Sequence, residues 1–598
     1  MTLGQLLKTG LLLLTLLPAN AIAGMGLAMH GQPKYKPDFT NFSYTNADAP
    51  QGGMLRLPVI GNFNSLNPYL IRGIPAAGLN LVYQTLLSRA RDEPFTLYAN
   101  LASEFQIAPD RRWISFTIDA DARFSDGTPI TATDILYSYK ILRAKGRPNH
   151  RQYYSTVQAA EILSPKSIKF TFKPDAGREM PLILGLMPVL SKSYFAQNPF
   201  TNTSLVPPVG SGPYKIDSLE AGRRITYVKN PDFWGKGRAQ YRGRYNFRKI
   251  TFEYFRDRDV AFQAFLGGDL DVFFENNPAK WSDKSRYGSQ PVRQKTIDRK
   301  IPPPMRALAF NTRKEIFSNQ DVRRALTLAY DFNWINKNLL HGLYTRTSSF
   351  FQNTPLQAKG LPSRAELALL KPFRSEFTAD LLHRPFTLPE TNGSGRNRVQ
   401  LTTAKTLLKK AGWVMSKAGL KNAQTGAKFE FEILLADKND FKILSSFQKN
   451  LAKLGITAKL RLMDSAGYQN RINNFDFDMI IARWGQSLSP GNEQAFYWSS
   501  NAAKMPGSRN YPGISLKSVD FLVDRIAKAV RREELETATR ALDRVLLWGT
   551  YVIPLQHINQ QWLYYWPRIQ FPETASNYGT SLDIWWQAPI DERLQKTQ

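Results

Sequence analysis

A chain of 598 residues is too long for one hydrophobic core, since single cores stop growing at about 250–300 residues. Its 42% hydrophobic, 12% aromatic and 21% charged content excludes long disorder. The formal charge of +30 favours anionic ligands or surfaces, and the absence of cysteine excludes disulfides and a lipid-modified cysteine anchor.

In chain order, Lys8 precedes the apolar run Gly10 to Leu17, then Pro18 and Ala21-Ile22-Ala23. A basic start, a short apolar run and an A-x-A site predict a secretory signal peptide over 1–23, with mature protein beginning near Gly24. The run is too short to span a bilayer, which needs about 20 apolar residues. An exported, unanchored chain is expected in a periplasm. Removing the leader takes away one cation and leaves the basic excess intact.

Gly52-Gly53-Met54 to Pro58 reads as a strand leaving a turn, and Leu66-Asn67-Pro68 as a turn. Trp113 to Ile118 and Ile168 to Phe172 alternate as strands. Between them lies Phe124-Ser-Asp-Gly-Thr-Pro-Ile-Thr-Ala-Thr-Asp134. Asp126-Gly127 suits a turn with positive φ at the glycine, and Thr131 with Asp134 has capping-box spacing. Ile135, Tyr139 and Leu142 then mark one helix face. Pro207-Pro208 and Gly210-Ser-Gly-Pro213 read as a linker, followed by strand patterns at Tyr214–Ile216, Ile225–Val228 and Ile250–Tyr254.

Ile301-Pro-Pro-Pro-Met305 is a stiff extended gate to a second lobe. Leu308 to Asn311 reads as a strand, and Ser318 with Asp321 as a second capping box. Phe429, Phe431, Ile433 and Leu435 alternate; Leu444, Phe447, Leu451 and Leu454 form a helix stripe ended by Gly455. Ile456 to Leu462 alternates again, and Asp478 to Trp484 gives a third strand, so this is a parallel βαβ unit. Open α/β sheets bind ligands beyond the carboxyl ends of their strands, which makes Arg483, Trp484, Gly485, Gln486 and Ser487 binding candidates. Trp484 is equally well explained as core.

Catalytic motifs are missing. The five histidines are scattered, and no zinc, phosphate-loop, dinucleotide or nucleophile-elbow pattern occurs, so neither enzyme activity, nor a cofactor, nor a metal is expected. Asp476 and Asp478 share a strand face and imitate a glycosidase pair, but solvated strand-edge carboxylates are far commoner. Basic runs such as Arg238 to Arg244 and Lys405 to Lys410 are ordinarily solvated faces.

The Phe124–Asp134 string resembles the signature of family 5 extracellular solute-binding proteins, the peptide receptors of ABC importers. Further matching pieces follow in order: Leu66-Asn-Pro68, Gly210 to Tyr214, Asn230 to Trp234, Phe265 to Asp271, Leu308 to Asn311, Val322 to Leu326, Leu407 to Trp413 and Ile553-Pro-Leu555. His30 to Tyr35, Ala49 to Gly53, Ala329 to Trp334 and Ser349 to Asn353 are similar to the Yej-type peptide-binding subfamily.

The resemblance implies an α/β, two-lobed periplasmic binding protein of type II, cluster C, with an extra subdomain inserted in the first lobe. That lobe would comprise 24–75, 205–300 and 556–598, the insertion 76–204 and the second lobe 301–555. The implied function is capture of peptides, with acidic or murein-derived ones as candidates, for delivery to permease subunits in the inner membrane. The chain would act as a monomer without nucleic acid. A nickel chelate or opine, or a regulator built on the same domain, is the alternative. In the family, main chain around the tryptophan matching Trp484 pairs with extended peptide, and a following Asp holds its amino group. This chain has no acid after Trp484 until Glu493. Tyr497 and Trp498 are further candidates, with Phe63 and Asn64 from the first lobe.

Overall fold

The computed structural model describes residues 22–589. Most of the expected signal peptide lies outside the described residues; at the expected junction, Ile22–Gly24 is a strand paired antiparallel with Phe105–Ile107.

The alternation read at Phe429–Leu435 forms the strand Glu430–Leu435, parallel to Thr457–Leu462 with Phe431 opposite Ala458. Between them the helix Asn439–Lys453 buries Leu444, Phe447 and Leu451. Gly455 ends this unit at φ 78°, where an added Cβ would come within 2.9 Å of the Leu420 backbone nitrogen. Met479–Trp484 extends the parallel set, and Met305–Phe310 and Val552–Pro554 complete a five-stranded sheet. Helices cover both faces of this sheet, which gives the second lobe two cores, one around Trp484 and Trp498 and one around Phe431 and Phe447.

The first lobe is built on a four-stranded sheet in the order 214–220, 224–229, 249–255, 54–60, whose last pair is parallel. A three-stranded sheet places the late strand Gln560–Tyr565 between Val272–Glu275 and Arg293–Asp298. A separate five-stranded antiparallel sheet contains 102–107, 113–118, 157–164 and 167–172. Against it lies the helix Ala132–Lys145, whose Thr131–Asp134 capping box forms as read from sequence. Gly127 adopts φ 86° in the turn before it.

The two segments that cross between the lobes run side by side. The Arg299 N–H donates to the Asn559 carbonyl at 2.8 Å, and Thr345–Arg346 pairs with Gln556–His557.

Two local expectations are corrected. The helix after Phe317 is capped by Asn319, not Ser318: the Asn319 side chain accepts from the Asp321 N–H, while the Ser318 hydroxyl donates to the Glu315 carbonyl. Asparagine is as good a cap as serine, and the chain uses the one nearer the first turn. Gly210–Pro213 is not a linker but a buried strap. Its Ser125 and Val82 partners hold it by main-chain bonds of 2.7 Å to Gly210 and Gly212. A Cβ on Gly210 would lie 2.1 Å from the Val82 carbonyl oxygen, and one on Gly212 2.2 Å from that of Leu81. Gly212→Ala is therefore expected to cost about 2–3 kcal/mol, as overpacking against backbone does. Urea unfolding measures it, and an unchanged midpoint would show that the strap can shift.

Candidate functional site

The carboxyl ends of the three parallel strands lie at Leu435, Leu462 and Trp484, and the start of Met305–Phe310 meets them because it runs antiparallel. Arg306 therefore stands directly opposite Arg483. Like charges opposed on adjacent strands repel. Asp440, in the first turn of the helix Asn439–Lys453, relieves one of them by an ion pair with Arg306. Burial pushes the Asp440 carboxyl up, against the pull of that guanidinium. Arg483 is an exposed residue and has no carboxylate within ion-pair distance among the described residues. Partial desolvation and Arg306 hold its guanidinium below the ordinary arginine value, with Asp440 and Asp437 acting in the opposite sense from beyond ion-pair distance. The result is one paired and one free cation at the strand ends, beside Tyr344.

Beyond Arg483 the backbone turns outward. Gly485 is exposed with open space where a Cβ would stand. Gln486 accepts from the Gln494 amide at 2.6 Å, and the Ser487 hydroxyl accepts from the Ser489 N–H at 3.1 Å. Tyr497 is half-buried, with the Arg509 guanidinium 5.8 Å from its ring centre. Glu493, the first acid after Trp484, is turned back on its own loop and accepts from the Gly491 N–H at 3.0 Å. Burial raises its carboxyl.

Three candidates place their side chains in the cores instead of a cleft. The Trp484 indole is fully buried and donates to the Arg509 carbonyl at 3.0 Å. Trp498 is fully buried too, 5.2 Å from Trp484 and 4.9 Å from Phe350. Phe63 is buried against Tyr254 at 4.9 Å. For Trp484 the reason is size and period, since on a strand whose neighbour points outward the large ring takes the inner face. Trp498 ends the short helix Glu493–Trp498 and Phe63 lies in the loop after Met54–Ile60, each ring held by aromatic neighbours. Asn64 is exposed beyond the end of Met54–Ile60, its side-chain oxygen accepting from the Ile74 N–H at 2.7 Å.

Arg306, Asp440 and Tyr344 were missed in the sequence, because no spacing links them to Arg483. The available signal was an arginine at the start of the strand that follows the three prolines.

The lobes meet at one edge of this face. The Asn492 amide donates to Glu179 of the antiparallel-sheet unit at 2.8 Å. His30 lies at the same edge, facing Arg111 and Arg178 from its own side and Arg532 from the second lobe. Asp476 and Asp478 are structural: Asp476 pairs with Arg471 at 3.0 Å, and Asp478 accepts from the Glu432 N–H at 2.9 Å. Among the described residues no cluster of His, Asp or Glu could hold a metal, and no helix is long and apolar enough to cross a membrane.

Two lobes joined by paired crossing segments, with polar groups gathered at the strand ends, define a two-lobed solute-binding protein. The model for bacterial extracellular solute-binding proteins, family 5, matches residues 96–506, and the chain belongs to that family. It is 42% identical over 574 residues to a putative binding protein of Brucella melitensis, covering 94% of this chain and 93% of the relative. It is 35% identical over 599 residues to the peptidoglycan-binding protein YepA of Agrobacterium fabrum, covering 96% and 97%. Among solved structures, NikA from Brucella suis with Fe(III)-EDTA superposes with a TM-score of 0.68 at 18% identity, over 90% of this chain and 100% of that one. The oligopeptide-binding protein AppA from Bacillus subtilis, in complex with a nonapeptide, superposes with 0.62 at 20%, over 91% and 100%. Both show the fold, a type II periplasmic binding protein. Members of this family bind solutes.

Proposed function

We propose that the protein captures peptides between its lobes in a periplasm and hands them to the membrane permease of an ABC importer, acting as a monomer without chemistry of its own. The division into a first lobe of 24–75, 205–300 and 556–598, an insertion of 76–204 and a second lobe of 301–555 belongs to the same proposal, as does the leader over 1–23. The observation that carries it is the free guanidinium of Arg483 at the head of the open backbone Gly485–Ser487. Extended peptide can pair with that backbone as an added strand, while Arg483 takes a carboxylate. Acidic peptides, murein-derived ones among them, are the ligands this chemistry suits; the YepA relative and the peptide-bound AppA support the class.

Native mass spectrometry of purified protein is expected to show co-purified peptide. Recovery of only sugar or metal, with no stabilisation by any peptide pool, would sink the peptide reading. Titration with matched acidic and neutral peptides tests the charge preference. Arg483→Ala is expected to weaken the acidic peptide roughly 10–100-fold, the worth of a charge-assisted hydrogen bond, and to leave the neutral one unchanged. Equal losses for both would remove Arg483 from ligand choice.

The second reading is an anionic metal chelate, favoured by the Fe(III)-EDTA bound to the NikA neighbour. A carboxylate-rich chelate would meet the same free arginine. Nickel or iron chelate competing with peptide for one site separates the two.

A further inference from the structure

The basic excess has a location. From Thr391 to Phe429 the chain has eight Lys and Arg residues and no acidic one. All eight, Arg396, Arg398, Lys405, Lys409, Lys410, Lys417, Lys421 and Lys428, are exposed. The helix Arg398–Lys410 buries Leu401, Ala404 and Leu408, and Arg398, Lys405 and Lys409 share one exposed flank beside that stripe. Arg396, Arg398, Lys405 and Lys453 together line an open hollow of about 970 Å³, where Glu390 is the single acid. Next to it stands the hairpin of Trp413–Ser416 and Gly419–Asn422, whose Met415 reaches Gly455, two residues beyond Lys453. Among the described residues only Lys410 of the eight has an ion-pair partner, Asp321 at 2.9 Å.

Large apolar side chains stand out on this face. Val399 is 73% exposed and Met415 55% exposed. Val399 is the most exposed large apolar side chain among the described residues, and it follows Arg398 directly. Cations flanking protruding apolar groups match an anionic bilayer: lysine and arginine meet phosphate headgroups while the apolar side chains enter the interface.

We infer that the face formed by 396–428 is a docking surface for acidic phospholipid membrane, separate from the ligand site and independent of which solute that site takes. It would hold the protein near the bilayer by reversible electrostatic attraction, which salt weakens.

Co-sedimentation of the purified protein with vesicles tests this. Binding is expected to phosphatidylcholine vesicles containing phosphatidylglycerol, not to phosphatidylcholine alone, and to fade at high salt. Each cation near such a surface multiplies partitioning roughly fivefold, so R396Q/R398Q/K405Q/K409Q should reduce it by a factor of roughly 600. A charge-matched control, K140Q/K145Q/K173Q/K192Q, changes exposed lysines on the other lobe and should retain binding. Because the chain has no cysteine, Val399→Cys can carry an environment-sensitive dye. Its emission should shift to the blue on acidic vesicles, and that of Leu361→Cys, a control site 60% exposed, should not. Failure to bind acidic vesicles, equal loss in the control, or no shift at Val399 would each overturn the inference.

Discussion

Arg544→Met is expected to lower the unfolding midpoint of the second lobe by about 10 °C. Arg544 is 1% exposed, and it is paired at 2.5 Å with Glu366, 3% exposed. It also donates to the carbonyls of Lys359, Gly360 and Leu361. One guanidinium thus ties the helix Arg364–Leu370 and the turn before it to the long helix Arg532–Trp548. The neighbouring Asp543 does the same for the preceding loop, accepting from the N–H groups of Phe350 and Ala358 and the Ser349 hydroxyl. Methionine fills much of the arginine volume but leaves Glu366 Oε2 and three carbonyls without their donor, Glu366 Oε1 keeping only the Ser363 N–H. Removing one partner of a buried pair costs about 3–5 kcal/mol, and a unit of this size loses about 2–4 °C per kcal/mol. Calorimetry reads the midpoint. A fall of a degree or less would mean that water replaces the guanidinium, and that the loop is held by Asp543 alone.

Acidification should open the lobes through His30. Burial is the main cause that lowers its pKa to about 4 from an ordinary 6.5, and Arg532, Arg111 and Arg178 add to it. The Ala529 carbonyl acts in the opposite sense and is outweighed. A lowered histidine pKa means that the contacted state prefers the neutral ring. Its stabilising contribution is therefore complete above about pH 6.5 and is lost as pH falls through about 4. Arg532 belongs to one lobe and the other two arginines face it from the opposite side, so protonation works against this contact. Arg111, Arg178 and burial by its own lobe persist when the lobes part, so only the second lobe's share acts on closing. After solvent screening that share is about 1 kcal/mol, or roughly fivefold in the closing equilibrium. Ligand affinity measured between pH 7.5 and about 4.5 should fall by about that factor in the native chain. His30→Phe should flatten the profile. His557, also lowered to about 4 by burial, lies on the crossing segment and remains in the variant. An unchanged pH profile in His30→Phe would assign the effect to His557 or to the ligand.

The binding edge was only half legible before folding. Arg483, Gly485, Gln486 and Ser487 could be named because a βαβ pattern places the end of its third strand at the ligand side of a sheet. Arg306, nearly 180 residues earlier, could not. Its place opposite Arg483 follows from an antiparallel register that no local pattern encodes. Trp484 and Trp498 show the same limit from the other direction. Alternation tells that successive residues face opposite sides, not which side is filled by Phe350 and the helix Arg532–Trp548.

The sequence by itself determined the local chemistry: the Thr131–Asp134 cap, the positive-φ turn at Gly127, the helix stop at Gly455, the parallel βαβ unit, and the unbroken basic stretch after Thr391. Each rests on interactions between residues a few positions apart, or on composition alone. Tertiary structure decided what depends on distant partners. It made Gly210–Pro213 a buried strap, because the Val82 and Leu81 carbonyls leave room only for hydrogen. It paired Arg306 with Asp440 and left Arg483 free, and it set His30 among three arginines from two lobes. Burial and charge neighbourhood are properties of packing, and packing is fixed only when strands remote in sequence come into register.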